Sequence, residues 1–266
     1  MGEDGGRGAL IAFAGTIVLF GVITVAVLTS DSWPKVRRQF FDPGAFRDSF
    51  PDVLDGFWLD VRMFLIAEVF ILAFSLLLAV LRSLRGPAFF PLRVLTVIYI
   101  DLFRGIPLLL VIWLFGFGVP ALQLRGVPTD PIFWGIFALV LSYSAYTAEV
   151  YRSGIESVHE SQRAAARSLG LTQWQTLRYA VLPQAIRNVV PALLNGLLSL
   201  QKDVALVSVL GIREAVREAE IYKGRTFNYT SFVAATVLFL IISVPLARFT
   251  DWYTRRDRER RTHALA

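Results

Sequence analysis

Six long apolar runs are the feature that most constrains how this chain folds. A helix needs about 20 mostly apolar residues to cross the hydrocarbon core of a membrane. Runs of about this length occupy residues 9–29, 57–81, 92–119, 131–150, 189–210 and 232–249. The mean hydropathy of +0.55 and the 55% of hydrophobic residues exceed what a soluble domain of this size needs for its core. The sequence therefore predicts an all-α, multi-pass membrane protein with six transmembrane helices.

The N-terminal run is predicted to be a retained anchor. Residues 9–29 carry no charge, are too long for the apolar part of a signal peptide, and are followed by no small-x-small cleavage pattern before Asp31. Residues 30–56 mix Pro34, Pro43 and Pro51 with aromatic residues, which predicts short external pieces lying along the membrane. We therefore expect an N-terminal unit at 1–56, a core at 57–251 and a basic tail at 252–266.

The distribution of Lys and Arg predicts the orientation. These residues accumulate in short loops that stay in the cytoplasm. With the N-terminus inside, fifteen cations lie in cytoplasmic segments and nine outside, the outside ones balanced by nine acids. The cytoplasmic set is Arg7, Arg82, Arg85, Arg93, Arg152, Arg163, Arg167, Arg178, Arg187, Arg248, Arg255, Arg256, Arg258, Arg260 and Arg261. Both termini are therefore predicted to be cytoplasmic, in a bacterial inner (plasma) membrane.

The sequence lacks the residues that several classes of function require. The chain has no cysteine, and its two histidines, His159 and His263, lie far apart without a carboxylate at ligand spacing, so we expect no metal site. No basic stripe interleaved with aromatics points to nucleic acid. There is no GxxxxGK[ST] loop, HExxH helix or nucleophile elbow, so the chain is not expected to be an enzyme. If transport is driven by ATP, hydrolysis must occur on another polypeptide.

The longest cytoplasmic connection, residues 152–188, predicts a protruding helical elbow. Its alanines and Leu169 favour a helix, Gly170 supplies a C-terminal stop, and Thr172 is placed to cap a second helix. Leu182-Pro183 predicts the start of another helix that runs back into the membrane.

The elbow resembles the EAA loop of importer permeases in the ATP-binding-cassette (ABC) superfamily. The matching stretches are Glu149-Val-Tyr-Arg-Ser-Gly-Ile155, Gln162-Arg-Ala-Ala-Ala-Arg-Ser-Leu-Gly170 and Leu182-Pro-Gln-Ala185. Three others resemble the polar amino acid permeases of the histidine/glutamine/glutamate type: Phe103-Arg-Gly-Ile-Pro-Leu-Leu109, Ala145-Tyr-Thr-Ala-Glu149 and Lys202-Asp-Val-Ala-Leu206. Together they cover residues 57–251.

This resemblance implies a type I importer permease core of five helices, preceded here by one extra N-terminal helix. It implies a second permease, identical or paralogous, two ABC ATPase subunits that bind ATP and Mg, and a solute-binding protein, with no cofactor on this chain. The elbow would dock on the ATPase through Gln162, Ala164, Ala165, Ala166, Leu169, Gly170, Leu182 and Pro183. The family's first EAA glutamate is Ala164 here, so a charged contact there cannot form and docking would rest on shape.

Ionisable residues within or beside the spans are the candidates for the substrate pathway, because charges at membrane depth usually face a bundle interior or a wet cavity. The set is Glu68, Asp101, Arg104, Glu149, Lys202 and Asp203. Each has an alternative role as an interhelical partner that only fixes the fold. Asp101 and Arg104 are three residues apart and could pair, whereas the adjacent Lys202 and Asp203 must point in different directions.

Two functions remain open from the sequence. The first is a permease subunit of an ATP-driven importer that moves a polar amino acid, of the glutamate, glutamine, histidine or arginine class, into the cytoplasm. The alternative is a secondary amino acid carrier coupled to an ion gradient, which would use intramembrane carboxylates. The long elbow and the lack of a visible inverted repeat favour the importer.

Overall fold

Helices form almost the whole of the chain. The computed structural model describes the backbone of residues 3–84 and 86–263, and side chains within 13–84, 86–257 and 259. We number the helices α1 Glu3–Leu28, α2 Trp33–Phe40, α3 Pro43–Ser83, α4 Phe90–Gly105, α5 Leu108–Ala121, α6 Pro131–Glu156, α7 Glu160–Ser168, α8 Gln173–Leu210, α9 Ala215–Thr226 and α10 Thr230–His263. The predicted all-α class is confirmed, and the described residues contain no strand.

The described helices account for four or five of the predicted spans. Those long and apolar enough to cross a membrane are α3 together with α2, and α6, α8 and α10; the bent pair α4–α5 makes a fifth if it counts as one span. In α1, Phe13–Leu28 is a shorter apolar helix whose side chains are all exposed. The count of six spans stays a prediction.

Some predicted features lie outside the described part or stay predictions. Arg85 is not described, nor are residues 264–266 of the predicted tail or the side chains of Arg7, Arg258, Arg260 and Arg261. The boundaries proposed at residues 56 and 251 fall inside α3 and α10. The division into 1–56, 57–251 and 252–266 therefore stays a prediction.

The segment 30–56 differs from its prediction. A short helix is present as α2, but residues 43–56 are the first turns of α3, which continues through Pro51 without a break. Proline removes one backbone hydrogen bond. In this part of α3, Val53 and Phe57 are buried against Ala215 of α9 and Ala234 of α10. We attribute the uninterrupted helix to this packing, which outweighs the loss of the bond.

The predicted run 92–119 is not one straight helix. The chain turns by 105° between α4 and α5. Ile106 precedes Pro107 and has an extended backbone, with φ −93° and ψ 130°. A residue before proline is pushed out of the helical region, because the proline ring clashes with it. The Gly105-Ile106-Pro107 sequence therefore ends α4 and redirects the chain.

The elbow has the predicted corner. Gly170 has a left-handed φ of +82°, its N–H donates to the Arg167 carbonyl, and the Leu171 N–H donates to Ala166, which together form a Schellman C-cap. Thr172 and Gln175 form a capping box at the start of α8.

The regular α-helical part of α8 begins at Leu182, with Pro183 in its first turn, as predicted. It continues without a break from a π-helical segment, Thr176–Val181. A proline inside an α-helix breaks the regular i→i−4 hydrogen bonds of the turn before it. Here the turn before Pro183 is π-helical and has wider hydrogen bonding instead. One helical run therefore extends from the elbow to Leu210.

Helix α6 is the centre of the bundle. It packs against α3, α4 and α8, and its buried residues Ala138, Leu139 and Ala145 belong to the main hydrophobic cluster. Near its C-terminal end Gly154 faces α8, where an added Cβ would overlap the Cγ1 atom of Val189. The missing side chain at residue 154 sets the separation of α6 and α8.

Enlarging Gly154 should therefore destabilise the protein. We expect Gly154→Ala to lower stability by about 1–3 kcal/mol, the usual cost of overpacking, measured as a lower thermal unfolding midpoint in detergent. Val189→Ala added to it should recover much of the loss. Gly224→Ala is the control, because nothing lies within 4 Å of the added Cβ there. Equal effects at positions 154 and 224 would contradict close packing of α6 on α8.

Candidate functional site

A cavity of about 370 Å³ lies where the α4–α5 bend meets α6 and α8. Ile106 and Pro107 line it from the bend, Tyr143 and Thr147 from α6, and Asp203 from α8. Lining residues of α6 recur at three- and four-residue intervals, and so do those of α8, because one face of each helix points at the cavity. The bend between α4 and α5 at Pro107 opens this space, because a straight helix would continue through it.

Asp203 is the one charged side chain in the described lining of the cavity. The hydroxyl group of Tyr143 donates a hydrogen bond to its Oδ2 at 2.6 Å. Ser142, Tyr146, Thr147 and Ser199 add further hydroxyl groups. The wall thus offers one carboxylate and several neutral hydrogen-bonding groups.

Arg104 places a cation beside the same cavity. Its guanidinium lies 5.9 Å from the centre of the Tyr146 ring, and the Tyr146 hydroxyl donates to the Arg104 carbonyl oxygen at 3.0 Å. Tyr146 lines the cavity, while the Arg104 side chain is 44% exposed. A positive group therefore lies next to the cavity through Tyr146, and a negative group, Asp203, lies in its wall.

Glu149 is the centre of an ion network on the same side of α6. It pairs with Arg82 of α3, with Arg152 at 2.7 Å, and with Arg104 at 4.0 Å. The predicted pair between Asp101 and Arg104 is wrong, because no such bridge is present among the described residues and Asp101 is exposed. Arg104 lies in the last turn of α4 against α6, and its ion-pair partner is therefore on α6.

The other two candidates lie apart from the cavity lining. Glu68 is half-buried on α3. Lys202 is exposed and lines a separate apolar groove of about 520 Å³ between α8 and α10. Lys202 and Asp203 therefore point in different directions, as predicted. Of the six candidates, the structure brings Asp203 and Arg104 to the cavity and places Glu149 behind Arg104.

Sequence reasoning missed the hydroxyl groups that surround Asp203. Ser142, Tyr143, Tyr146 and Thr147 recur at helical spacing along α6. This face could have been found as a polar stripe in an otherwise apolar helix. The sequence does not indicate which helices this face of α6 contacts, because that depends on the bend at Pro107, a tertiary feature.

The elbow presents a small-residue surface. Gln162, Ala164 and Ala165 are exposed, Ala166 is buried, and Leu169 is 83% exposed at the corner. Leu182 and Pro183 are exposed on α8. His159 caps α7, since its Nδ1 accepts from the Ser161 N–H at 3.2 Å. The surface therefore combines a fixed helix start, a fixed corner and uncovered small side chains.

Comparison with known proteins decides the family. Residues 71–259 match the family described as binding-protein-dependent transport system inner membrane component. A probable glutamine ABC transporter permease of Bacillus subtilis, GlnM, is 35% identical over 213 residues, covering 79% of this chain and 94% of that protein. The chain is an amino acid ABC transporter permease.

Two more comparisons agree with this assignment. The arginine transport system permease ArtQ of Bacillus subtilis is 29% identical to this permease, covering 73% of this chain and 87% of that one. The crystal structure of an amino acid ABC transporter with histidines superposes with a TM-score of 0.70 at 29% identity, covering 77% of this chain and 94% of that one. The family consists of transport components. The matched residues, 71–259, include both the elbow and the residues that line the cavity.

Removing the charge at the centre of the ion network should destabilise the permease. Glu149→Gln leaves Arg82, Arg104 and Arg152 without their common carboxylate. We expect a loss of about 2 kcal/mol, less than the about 3–5 kcal/mol for a fully buried pair, because the arginines keep part of their hydration. Unfolding midpoints in detergent measure it. The control is Glu156→Gln, which removes only the exposed partner of Arg152; a similar midpoint for both variants would rule out the central role of Glu149.

Proposed function

We propose that this permease is the membrane subunit of an ATP-driven importer that moves a polar amino acid into the cytoplasm. The cargo belongs to the glutamate, glutamine, histidine or arginine class. The proposal is supported by the family assignment, by the glutamine and arginine permeases among its relatives, and by the chemistry of the cavity.

The observation that carries the proposal is a cavity with opposite charges at its wall and its edge. A free amino acid carries an ammonium and a carboxylate group, and each needs a partner when it leaves water. Asp203 offers a carboxylate to the ammonium, and Arg104 offers a guanidinium to the carboxylate. The volume of about 370 Å³ is within the range of small-molecule sites.

Coupling to ATP is proposed to run through the elbow. The exposed residues Gln162, Ala164, Ala165, Leu169, Gly170, Leu182 and Pro183, with Ala166 beneath them, form the surface that docks on the ATPase. Small residues let two backbones approach closely. With alanine at position 164, this contact rests on shape. Because α8 begins at the corner and carries Asp203, a movement of the elbow reaches the cavity wall.

The assembly is proposed to contain a second permease, identical or paralogous, two ATPase subunits that bind ATP and Mg, and an external solute-binding protein. The chain crosses the bacterial inner membrane six times, with α1 as the extra helix and both termini in the cytoplasm. The excess of cations in the cytoplasmic segments supports this orientation.

Reconstitution separates the importer from an ion-coupled carrier. Vesicles containing the permease, its ATPase and the binding protein should accumulate a radiolabelled polar amino acid only when ATP is present on the ATPase side. A carrier would instead accumulate it from a proton or sodium gradient without ATP. Gradient-driven uptake by the permease alone would contradict the proposal.

Neutralising Asp203 should impair uptake with little effect on folding. Asp203→Asn keeps the size and the acceptor for Tyr143 but removes the charge that faces the ammonium group. A hydrogen bond to a charged group contributes about 1.5–3 kcal/mol, so uptake should fall about 10- to 100-fold at matched membrane expression. Asp251→Asn, an exposed acid on α10, is the control. Unchanged uptake by Asp203→Asn would remove Asp203 from the pathway.

A further inference from the structure

Two acidic side chains are buried against each other away from the cavity. Asp60 of α3 is 2% exposed, and Glu214, directly before α9, is 0% exposed. Asp60 reaches the backbone next to Glu214, since its Oδ2 accepts from the N–H of Ala215, and the two carboxyl groups interact electrostatically. Neither takes part in the proposed cargo pathway.

The surrounding backbone holds both groups in place. Oδ2 of Asp60 accepts from the Ala215 N–H at 3.2 Å, and Glu214 caps α9 by accepting from the N–H groups of Val216 at 2.9 Å and Arg217 at 2.6 Å. Gly56 allows this approach, since a Cβ there would lie 2.6 Å from the Glu214 carbonyl carbon. The N-terminus of α9 is therefore fixed directly on α3.

No cation neutralises the pair within the described part of the chain. Arg213 is exposed and pairs with Glu218 at 2.6 Å, close to Asp52. Arg217 pairs with Glu220 at 2.6 Å. Glu218, the further acid that faces Glu214, adds negative charge.

The elements on the other side contribute only neutral groups. Asp60 lines a cavity of about 50 Å³ with Gln201 of α8, and Ser243 of α10 donates to Gln201 Oε1 at 2.5 Å. Oδ1 of Asp60 is buried without a hydrogen-bond partner. A carboxylate has no proton to donate, so two ionised groups here would repel each other and leave this oxygen unsatisfied.

We propose that Asp60 and Glu214 form a proton-binding site: they share one buried proton, which holds the N-terminus of α9 on α3. The shared proton turns a repulsive contact between two carboxylates into a hydrogen bond between a carboxylic acid and a carboxylate. Such a bond is short and strong in a low-dielectric site. Loss of the proton leaves two negative charges beside each other with no cation.

The site makes this part of the protein sensitive to pH. Burial raises the pKa of the Glu214 carboxyl group above its ordinary value. The folded form therefore binds a proton more tightly than the unfolded form, in which a glutamate has its ordinary pKa of about 4.3. The stabilisation is complete below the unfolded pKa and is lost as the pH rises through the raised pKa of the folded form.

The test measures stability of the full-length chain in lipid nanodiscs between about pH 5 and pH 9. In the wild type, the unfolding equilibrium constant should rise by up to tenfold per pH unit while the folded form keeps the proton that the unfolded form has lost, and should level off once the folded form also loses it. Asp60→Asn, which removes the neighbouring charge and has an amide that can donate to the Glu214 carboxylate, should show a shallower profile. Asp55→Asn, an exposed acid on α3, is the matched control and should keep the wild-type slope. Equal slopes in wild type and Asp60→Asn would overturn the proposal.

Infrared spectroscopy gives a second readout that does not depend on how stable a variant is. The wild type should show the carbonyl band of a protonated carboxylic acid near neutral pH, and the double variant Asp60→Asn/Glu214→Gln should lack it. The same band in both would overturn the proposal. Sodium is the competing occupant, so the pH series is repeated with choline in place of sodium. Rescue of stability at alkaline pH by sodium alone would show a metal cation instead of a proton.

Discussion

The fold of this permease depends on the need to satisfy every backbone N–H and C=O group in the absence of water. In a bilayer, irregular backbone is tolerated only where protein covers it or where it lines a wet cavity. Among the described spans, the sharpest departure is the 105° bend at Gly105-Ile106-Pro107. Ile106 and Pro107 line the cavity that also contains Asp203. The break in the helix and the candidate cargo site are therefore one structural feature.

Local signals were sufficient for the elbow. Gly170 adopts the left-handed conformation expected of a helix stop, and Thr172 caps the next helix. Capping and turn chemistry act over a few residues, so they can be predicted from the order of the residues. The apolar runs likewise predicted which segments form the long helices.

Features that depend on neighbouring helices were not predictable. The pairing of Arg104 with Glu149 instead of Asp101 follows from the packing of α4 on α6. The continuity of α8 through Pro183 depends on a π-helical segment, and that of α3 through Pro51 accompanies buried contacts with α9 and α10. In each case the sequence favours a local outcome, and contacts between distant residues override it.

One helical run connects the two candidate functional regions of the permease, the elbow and the cavity. Helix α8 starts at the capped corner after Gly170 and carries Gly196, Ser199 and Asp203 on the cavity wall. A displacement of the corner therefore reaches the cavity without crossing a flexible loop. In the proposed importer, the fixed angle at Gly170 converts ATP-driven movement into movement of this wall.

The most direct test is the ratio of amino acid uptake to ATP hydrolysis in reconstituted importer carrying Gly170→Val or Gly170→Asn. No atom lies within 4 Å of a Cβ added at Gly170, so the two variants differ in backbone strain and not in steric overlap. Asparagine tolerates the left-handed conformation, whereas a β-branched residue does not. The account predicts that Gly170→Val hydrolyses ATP but transports little, while Gly170→Asn stays close to wild type. A wild-type ratio in Gly170→Val would contradict it.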